Sequence, residues 1–128
     1  MKKITQTILF KASVHDVFEL LMDSKKHSAF SGDKAIISRK IDGKFKAYGG
    51  YISGKNIEIV KDKRIVQTWR ASDWPSGTNS KVIFEFEKSV KNTKLKFTQE
   101  DVPEEQYADI KQGWIDFYWE PMKKYLAK

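Results

Sequence analysis

The fold of this chain is decided by two stretches of its sequence, IVQTWRASDWP at residues 65–75 and GWIDFYWEP at residues 113–121. Together they hold all four tryptophans of the protein. The first has the pattern of a strand that ends in a turn, and the second lies in the last helical pattern of the chain. Because tryptophan is large and costly to expose, we expect this strand and this helix to close over a shared apolar space.

Length and composition indicate a single domain that covers residues 1–128. The chain contains no cysteine, which excludes disulfides, thiolate metal sites and a cysteine nucleophile. Its N-terminus becomes polar too early for a signal peptide, and no apolar run approaches the roughly 18 residues of a membrane helix. We therefore expect a protein of the cytoplasm, without a membrane partner and without a cofactor.

The net charge of +7 comes from 21 lysines and only 3 arginines, set against 17 acidic residues. The lysines alternate with apolar residues, as in KFKA at 44–47 and KLKF at 94–97. That alternation is typical of the solvent face of an antiparallel sheet, whereas proteins that read nucleic acids usually rely on arginine. We expect no nucleic-acid partner, while attraction to an acidic protein surface stays open.

Periodicity predicts the elements in order. Residues 3–10 alternate as a strand, and Ser13 caps a helix over 13–22. Residues 23–33 are polar and predicted to be irregular. Asp42-Gly43 and Gly49-Gly50 are signals for two-residue turns. The further predicted strands are 34–41, 44–48, 51–60, 64–72, 79–88 and 93–100.

The last helix is predicted over 103–126, with Pro103 and two glutamates at its start. Pro121 lies inside it, where it removes one backbone hydrogen bond and clashes with the carbonyl of Phe117. We expect a kink there. The predicted fold class is α+β: one curved antiparallel sheet of six to seven strands wrapped on the long C-terminal helix.

This order of elements resembles the helix-grip fold of START-like (Bet v-like, SRPBCC) domains. The motifs resemble one branch of that superfamily, the activator of heat-shock protein 90 (HSP90) ATPase, and within it the C-terminal domain. The resemblance covers nearly the whole chain, including the strand-to-helix junction at residues 10–18. The residues that carry it are Gly54, Trp69-Arg70, Trp74-Pro75, Gly77, Gly113-Trp114 and Tyr118.

The resemblance implies a binding protein associated with HSP90 and not an enzyme. The eukaryotic activator of this family has a separate N-terminal domain that supplies much of the contact with the chaperone. A lone domain of the C-terminal type is therefore expected to be a weak activator at best. The fold also hosts ligand carriers and enzymes, so the fold alone does not select a function.

A ligand cavity between helix and sheet is the second functional prediction. The aromatic stripe of the last helix has the spacing of an ordinary core, and that interpretation stays open. The fold that this chain resembles usually leaves a hollow between helix and sheet, and tyrosine and tryptophan bring polar tips into an apolar lining. The residues predicted to line the cavity are Trp69, Phe84, Phe97, Trp114, Phe117, Tyr118 and Gln67.

The loop that follows residue 72 is predicted to lie at the rim of this cavity. Trp74, expected to be exposed beside the rigid Pro75, suits a protein-contact anchor. Arg70 lies on the strand that leads into this loop. These three residues are the predicted partner contacts.

Catalytic and metal-binding residues are not predicted anywhere in the chain. His15 falls on the solvent flank of the first helix and His27 in a polar loop, and neither has a second histidine at ligand spacing. Glu58 is expected to face solvent. Two functions stay open, a monomeric HSP90 partner and a carrier of a small apolar or aromatic ligand. A cavity enzyme that uses Glu58 is the third alternative.

Overall fold

The computed structural model describes residues 1–127. Its strands are β1 (Lys2–Phe10), β2 (Ile36–Ile37), β3 (Lys44–Ala47), β4 (Ile52–Val60), β5 (Arg64–Ala71), β6 (Ser80–Ser89) and β7 (Asn92–Val102). Its α-helices are α1 (Val14–Met22), α2 (Ser24–Ser31), α3 (Tyr107–Trp114) and α4 (Glu120–Leu126). All seven strands form one antiparallel sheet in the order β1-β7-β6-β5-β4-β3-β2. The predicted α+β class and strand count are confirmed.

The last helix is fixed to the sheet by two indole hydrogen bonds. The Trp114 Nε1–H donates to Gln99 Oε1 on β7 at 2.7 Å. The Trp119 Nε1–H donates to Gln6 Oε1 on β1, also at 2.7 Å. Because a buried indole N–H without an acceptor costs free energy, these amides fix both the position and the rotation of the helix.

The outer face of the sheet is solvated and charged, as predicted from the alternating lysines. On β6 and β7 the register sets Glu85 opposite Lys96 and Glu87 opposite Lys94, and such cross-strand pairs of opposite charge are favourable. Glu58 lies on the same surface, where its carboxylate accepts from Arg64 Nε at 2.6 Å. The prediction that Glu58 faces solvent agrees with this position.

Gly54 on β4 lies directly against both β5 and the Phe45 ring. A Cβ at this position would stand 1.9 Å from the Thr68 carbonyl oxygen and 2.7 Å from Phe45 Cε1. Only a residue without a side chain fits between β5 and the Phe45 ring.

The prediction of an irregular segment at 23–33 is wrong, because the segment contains helix α2. The Asp23 side chain caps it by accepting from the Lys26 N–H at 3.0 Å, and Gly32 ends it in the left-handed conformation. The helix has no apolar stripe, and only His27 and Phe30 are buried. Its sequence therefore lacks the periodicity by which a helix is recognised.

The buried position of His27 also corrects the prediction of a polar loop. The residue is 3% exposed, its ring lies 4.6 Å from the Phe30 ring and 5.4 Å from the Tyr118 ring, and its Nδ1 has no hydrogen-bond partner. Burial disfavours the charged imidazolium and lowers the pKa of His27 to about 4.

Two predicted features of the β3 region also differ. The strand expected over 34–41 is only Ile36–Ile37, and the expected two-residue turn at Gly49-Gly50 is a 3₁₀ turn over Tyr48–Gly50. Tyr48 and both glycines have positive φ there, which turns the Tyr48 side chain towards the last helix.

The last helix, predicted as one continuous helix, is interrupted in its middle. A 3₁₀ turn (Glu104–Gln106) leads into α3, and a π-helical segment (Ile115–Trp119) separates α3 from α4. Pro121 therefore stands in the first turn of α4, where a missing N–H is tolerated. Pro121 has no N–H to donate to the carbonyl of Phe117. This carbonyl accepts a hydrogen bond from the Tyr48 hydroxyl instead.

We expect Tyr48→Phe to lower the free energy of unfolding by about 1–2 kcal/mol, because the Phe117 carbonyl loses its donor. In a Pro121→Ala background the loss should shrink, since an alanine at that position brings an N–H to the same carbonyl. Urea unfolding of the four proteins of this cycle measures both values. Tyr51→Phe, which removes a hydroxyl that binds Asp73 at the surface, is the matched control. An equal loss in both backgrounds would contradict the assignment.

His27 should make the protein less stable in mild acid. The unfolded chain takes up a proton near pH 6.5, while the folded chain resists protonation down to about pH 4. As the pH falls through this window, the free energy of unfolding should decrease by up to about 3 kcal/mol. Above the window, His27 should contribute nothing to the pH dependence of stability. His27→Leu should flatten this part of the pH profile, and His15→Leu, at an exposed histidine, should not. Superimposable wild-type and His27→Leu slopes would refute the prediction.

Candidate functional site

A cleft of about 500 Å³ opens between the last helix and the end of the sheet that carries β3, β4 and β5. It opens to solvent at its mouth. Its lining residues come from four separate parts of the chain, at residues 33, 48–52, 69–73 and 106–118. They are Asp33, Tyr48, Tyr51, Ile52, Trp69, Asp73, Gln106, Asp109, Ile110, Gly113, Trp114, Phe117 and Tyr118.

Aromatic rings form a continuous wall of this cleft. The Trp114 ring centroid lies 5.5 Å from that of Trp69 and 4.4 Å from that of Tyr118. Tyr48 packs edge-on against Tyr118 at 5.8 Å and against Phe117 at 5.9 Å. Phe117 is 58% exposed at the mouth, so the cleft offers apolar surface to any molecule that enters.

The space behind this wall is nearly filled by the protein itself. An inner pocket between helix and sheet, bordered by His27, Gln67 and Phe84, measures only about 10 Å³. Gln67 is buried there, and its Nε2–H donates to Asn56 Oδ1 at 3.0 Å. A space of this size holds at most one water molecule. The hollow expected from the fold is therefore open at its mouth and closed at its base.

The predicted cavity residues fall into three groups. Trp69, Trp114, Phe117 and Tyr118 border the open cleft. Gln67 and Phe84 border the inner pocket. Phe97 borders neither space, because it is fully buried behind Trp114 with ring centroids 4.3 Å apart.

Nine of the thirteen lining residues were missed at the level of sequence, and the five of them that carry an aromatic ring or a charge are Tyr48, Tyr51, Asp33, Asp73 and Asp109. The segment Tyr48–Tyr51 has the sequence of a hairpin turn, and its two tyrosines flank two glycines. This pair of aromatic residues around a turn is the one sequence feature that could have placed the turn at the rim of the cleft. The three aspartates lie far apart in the chain and share no motif.

The expectation that Trp74 is exposed is wrong. Trp74 is 3% exposed, and its ring packs edge-on against Trp69 at 5.5 Å. The loop folds back because the Arg70 guanidinium donates to the carbonyls of Trp74 at 2.7 Å and of Pro75 at 3.2 Å. Pro75 is exposed beside the buried Trp74, as are Ser72 and Asp73 before it and Ser76 and Gly77 after it.

The tyrosines of the cleft are held in their neutral form. Burial, with the charge of Asp33, raises the pKa of Tyr48 to about 12, and burial raises the pKa of Tyr118. The pKa of Tyr51 is raised by burial and by Asp73, whose carboxylate accepts from the Tyr51 hydroxyl at 3.1 Å. These hydroxyls act as hydrogen-bond donors at neutral pH.

The described residues contain neither a metal cluster nor a catalytic histidine in the cleft. Within residues 1–127, no group of three His, Cys, Asp or Glu side chains is placed to hold a metal ion. His15 bonds Asp62 at 2.9 Å on the surface. No helix in this part of the chain is long and apolar enough to cross a membrane.

Solved structures match this fold over its whole length. The crystal structure of an HSP90 activator from Plasmodium falciparum has a TM-score of 0.94 and 26% sequence identity, and the match covers 99% of this chain and 97% of that one. The CalU16 protein of Micromonospora echinospora, with a TM-score of 0.77 and 19% identity over 94% of this chain and 75% of that one, shares the fold. These matches confirm the predicted START-like architecture.

Curated relatives agree with the structural match. The activator of 90 kDa heat shock protein ATPase homolog of Dictyostelium discoideum is 30% identical over 82% of this chain and 28% of its own length. The human homolog 1 is 27% identical over 95% of this chain and 36% of its own length. The chain thus spans about a third of the length of these relatives. Residues 11–127 match the family described as activator of Hsp90 ATPase homolog 1-like protein, and the chain belongs to that family.

Proposed function

We propose that this protein works by binding rather than catalysis, as a co-chaperone-type domain that contacts HSP90 and weakly stimulates its ATPase. The observation that carries the proposal is the match over 99% of the chain to an HSP90 activator, with a TM-score of 0.94. Because the chain corresponds to about a third of its curated relatives, we expect a smaller contact area and a weaker effect than theirs.

The proposed contact surface is a basic patch on the outer face of β3 and β4, formed by Lys44, Lys46 and Lys55. Lys44 stands directly opposite Lys55 in the register, an arrangement that costs free energy through like-charge repulsion. Among residues 1–127, no carboxylate oxygen lies within 4.0 Å of these three ammonium groups. Elsewhere on the sheet, lysines stand opposite glutamates. An acidic partner surface would neutralise the repulsion.

The basic patch continues into the loop that was predicted as a partner contact. Ser53 on β4 is the register partner of Lys46 on one side and of Arg70 on the other. Arg70 in turn holds the carbonyls of the loop. The exposed Pro75, rather than Trp74, is therefore the side chain of this loop that a partner would meet.

The test is a charge reversal at the basic patch. In calorimetric titration and ATPase assays with HSP90 from the same cell, Lys44→Glu/Lys46→Glu should weaken binding about tenfold or more. Lys88→Glu/Lys91→Glu makes the same charge change in the β6–β7 hairpin, at the other end of the sheet, and should leave most of the affinity. Wild-type binding should also weaken when salt rises from about 50 to about 300 mM.

Two results would overturn this proposal. One is the absence of a complex between the wild-type protein and HSP90 at low salt. The other is an equal loss of affinity in the patch variant and in the hairpin variant, which would show that only the net charge matters. We propose further that the protein is a monomer and lies in the cytoplasm, in the same compartment as this chaperone.

A second candidate function, carrier of a small apolar or aromatic ligand, is favoured by the aromatic cleft of about 500 Å³. This volume is in the range of small-molecule pockets. Native mass spectrometry of the purified protein distinguishes the two functions, since a carrier would retain a small molecule and a chaperone partner need not.

A further inference from the structure

The mouth of the aromatic cleft has the opposite charge to the protein as a whole. The chain has 24 basic and 17 acidic residues. Yet the cleft is bordered by three aspartates, Asp33, Asp73 and Asp109, and by no lysine or arginine. We propose that this cleft binds an organic cation, a molecule with a flat apolar body and a protonated amine. This inference deepens the carrier function and rests on it, not on the contact with HSP90.

The three carboxylates have no basic side chain as a partner. Among residues 1–127, no side-chain nitrogen of lysine, arginine or histidine lies within 4.0 Å of any of them. Asp73 accepts from the neutral Tyr51 hydroxyl at 3.1 Å, and Asp33 accepts from the Lys34 backbone N–H at 2.8 Å. Both bonds orient a carboxylate without neutralising it, so a cation at the mouth would be attracted by all three.

The walls of the cleft suit the rest of such a molecule. Tyrosine and tryptophan rings attract a cation at their faces. Trp114 and Tyr118, which are 2% and 6% exposed, form the back of the wall, and the half-buried Tyr48 packs edge-on against Tyr118. Tyr51 and Phe117 are 44% and 58% exposed at the mouth, and a flat apolar body would cover them.

A polar atom in the wall also lacks a partner. Trp69 borders both the cleft and the inner pocket and is 4% exposed, and its indole Nε1–H has no hydrogen-bond acceptor. A buried donor in this state costs free energy that an acceptor atom of a bound molecule would recover. This feature is independent of the aspartates, and Trp69 shares it with the buried Trp74, whose Nε1–H also has no acceptor.

The same electric field excludes the opposite class of ligand. Burial is the main cause that raises the pKa of Tyr51 and of Tyr48, and the aspartates add to it: Asp73 and Asp109 at Tyr51, and Asp33 at Tyr48. A field that disfavours a tyrosinate also disfavours a bound carboxylate. A fatty acid would therefore meet three like charges and no cation in this cleft.

Three naphthalene probes of similar shape and different charge test the proposal. They are 1-naphthylmethylamine, which is protonated at pH 7, the neutral 1-naphthalenemethanol and the anion 1-naphthoate. In calorimetric titrations of the whole chain at low salt, the cation should bind about tenfold tighter than the alcohol. The anion should bind weakest. Equal affinities for the three probes, or no binding of the cation, would overturn the proposal.

Charge-neutral variants locate the effect. Asp73→Asn/Asp109→Asn should weaken binding of the cation about fivefold or more and leave binding of the alcohol unchanged, which shows that the cleft is still folded. Asp42→Asn/Asp101→Asn removes the same two charges at exposed positions outside the cleft lining and is the control. An equal loss for cation and alcohol, or an equal loss in Asp42→Asn/Asp101→Asn, would contradict the proposal. Since HSP90 is absent from these titrations, their failure leaves the chaperone contact untouched.

Discussion

The indole N–H of Trp114 must find an acceptor inside the protein, and the rest of the site depends on how it does so. Gln99 Oε1 accepts this hydrogen bond, and the Gln99 Nε2–H donates to Ser80 Oγ at 2.8 Å. Ser80 in turn donates to the Trp69 carbonyl at 2.8 Å. This chain of hydrogen bonds joins the last helix to three adjacent strands. It fixes the distance between helix and sheet, and therefore the width of the cleft.

The shape of the cleft mouth follows from a second constraint, the proline in the last helix. Pro121 provides no N–H for the Phe117 carbonyl, and the helix widens to a π-helical segment immediately before it. The Tyr48 hydroxyl then donates to that carbonyl. A single missing donor thus brings the turn between β3 and β4 against the helix and leaves the Phe117 ring at the opening.

Charge is separated between the two surfaces to which we assign binding. The outer face of β3 and β4 has lysines opposite one another, whereas the cleft on the inner side is bordered by aspartates. Each arrangement concentrates charges of one sign, which makes the free protein less stable than it would be with a residue of opposite charge among them. The two proposed partners, an acidic protein surface and an organic cation, would therefore be bound on different sides of the sheet, and one need not displace the other.

The sequence by itself determined the strands other than the short β2, the first helix and the strand-against-helix arrangement, because alternation, capping at Ser13 and the tryptophan stretches act over a few neighbouring residues. It also contained the family motifs. It did not reveal helix α2, which has no apolar stripe, or the buried Trp74, which depends on Arg70 turning the loop inward. Only the tertiary structure brought Asp33, Asp73 and Asp109 to one opening. No local pattern connects residues that far apart, since their proximity results from the packing of α2, the loop after β5 and α3 around one cleft.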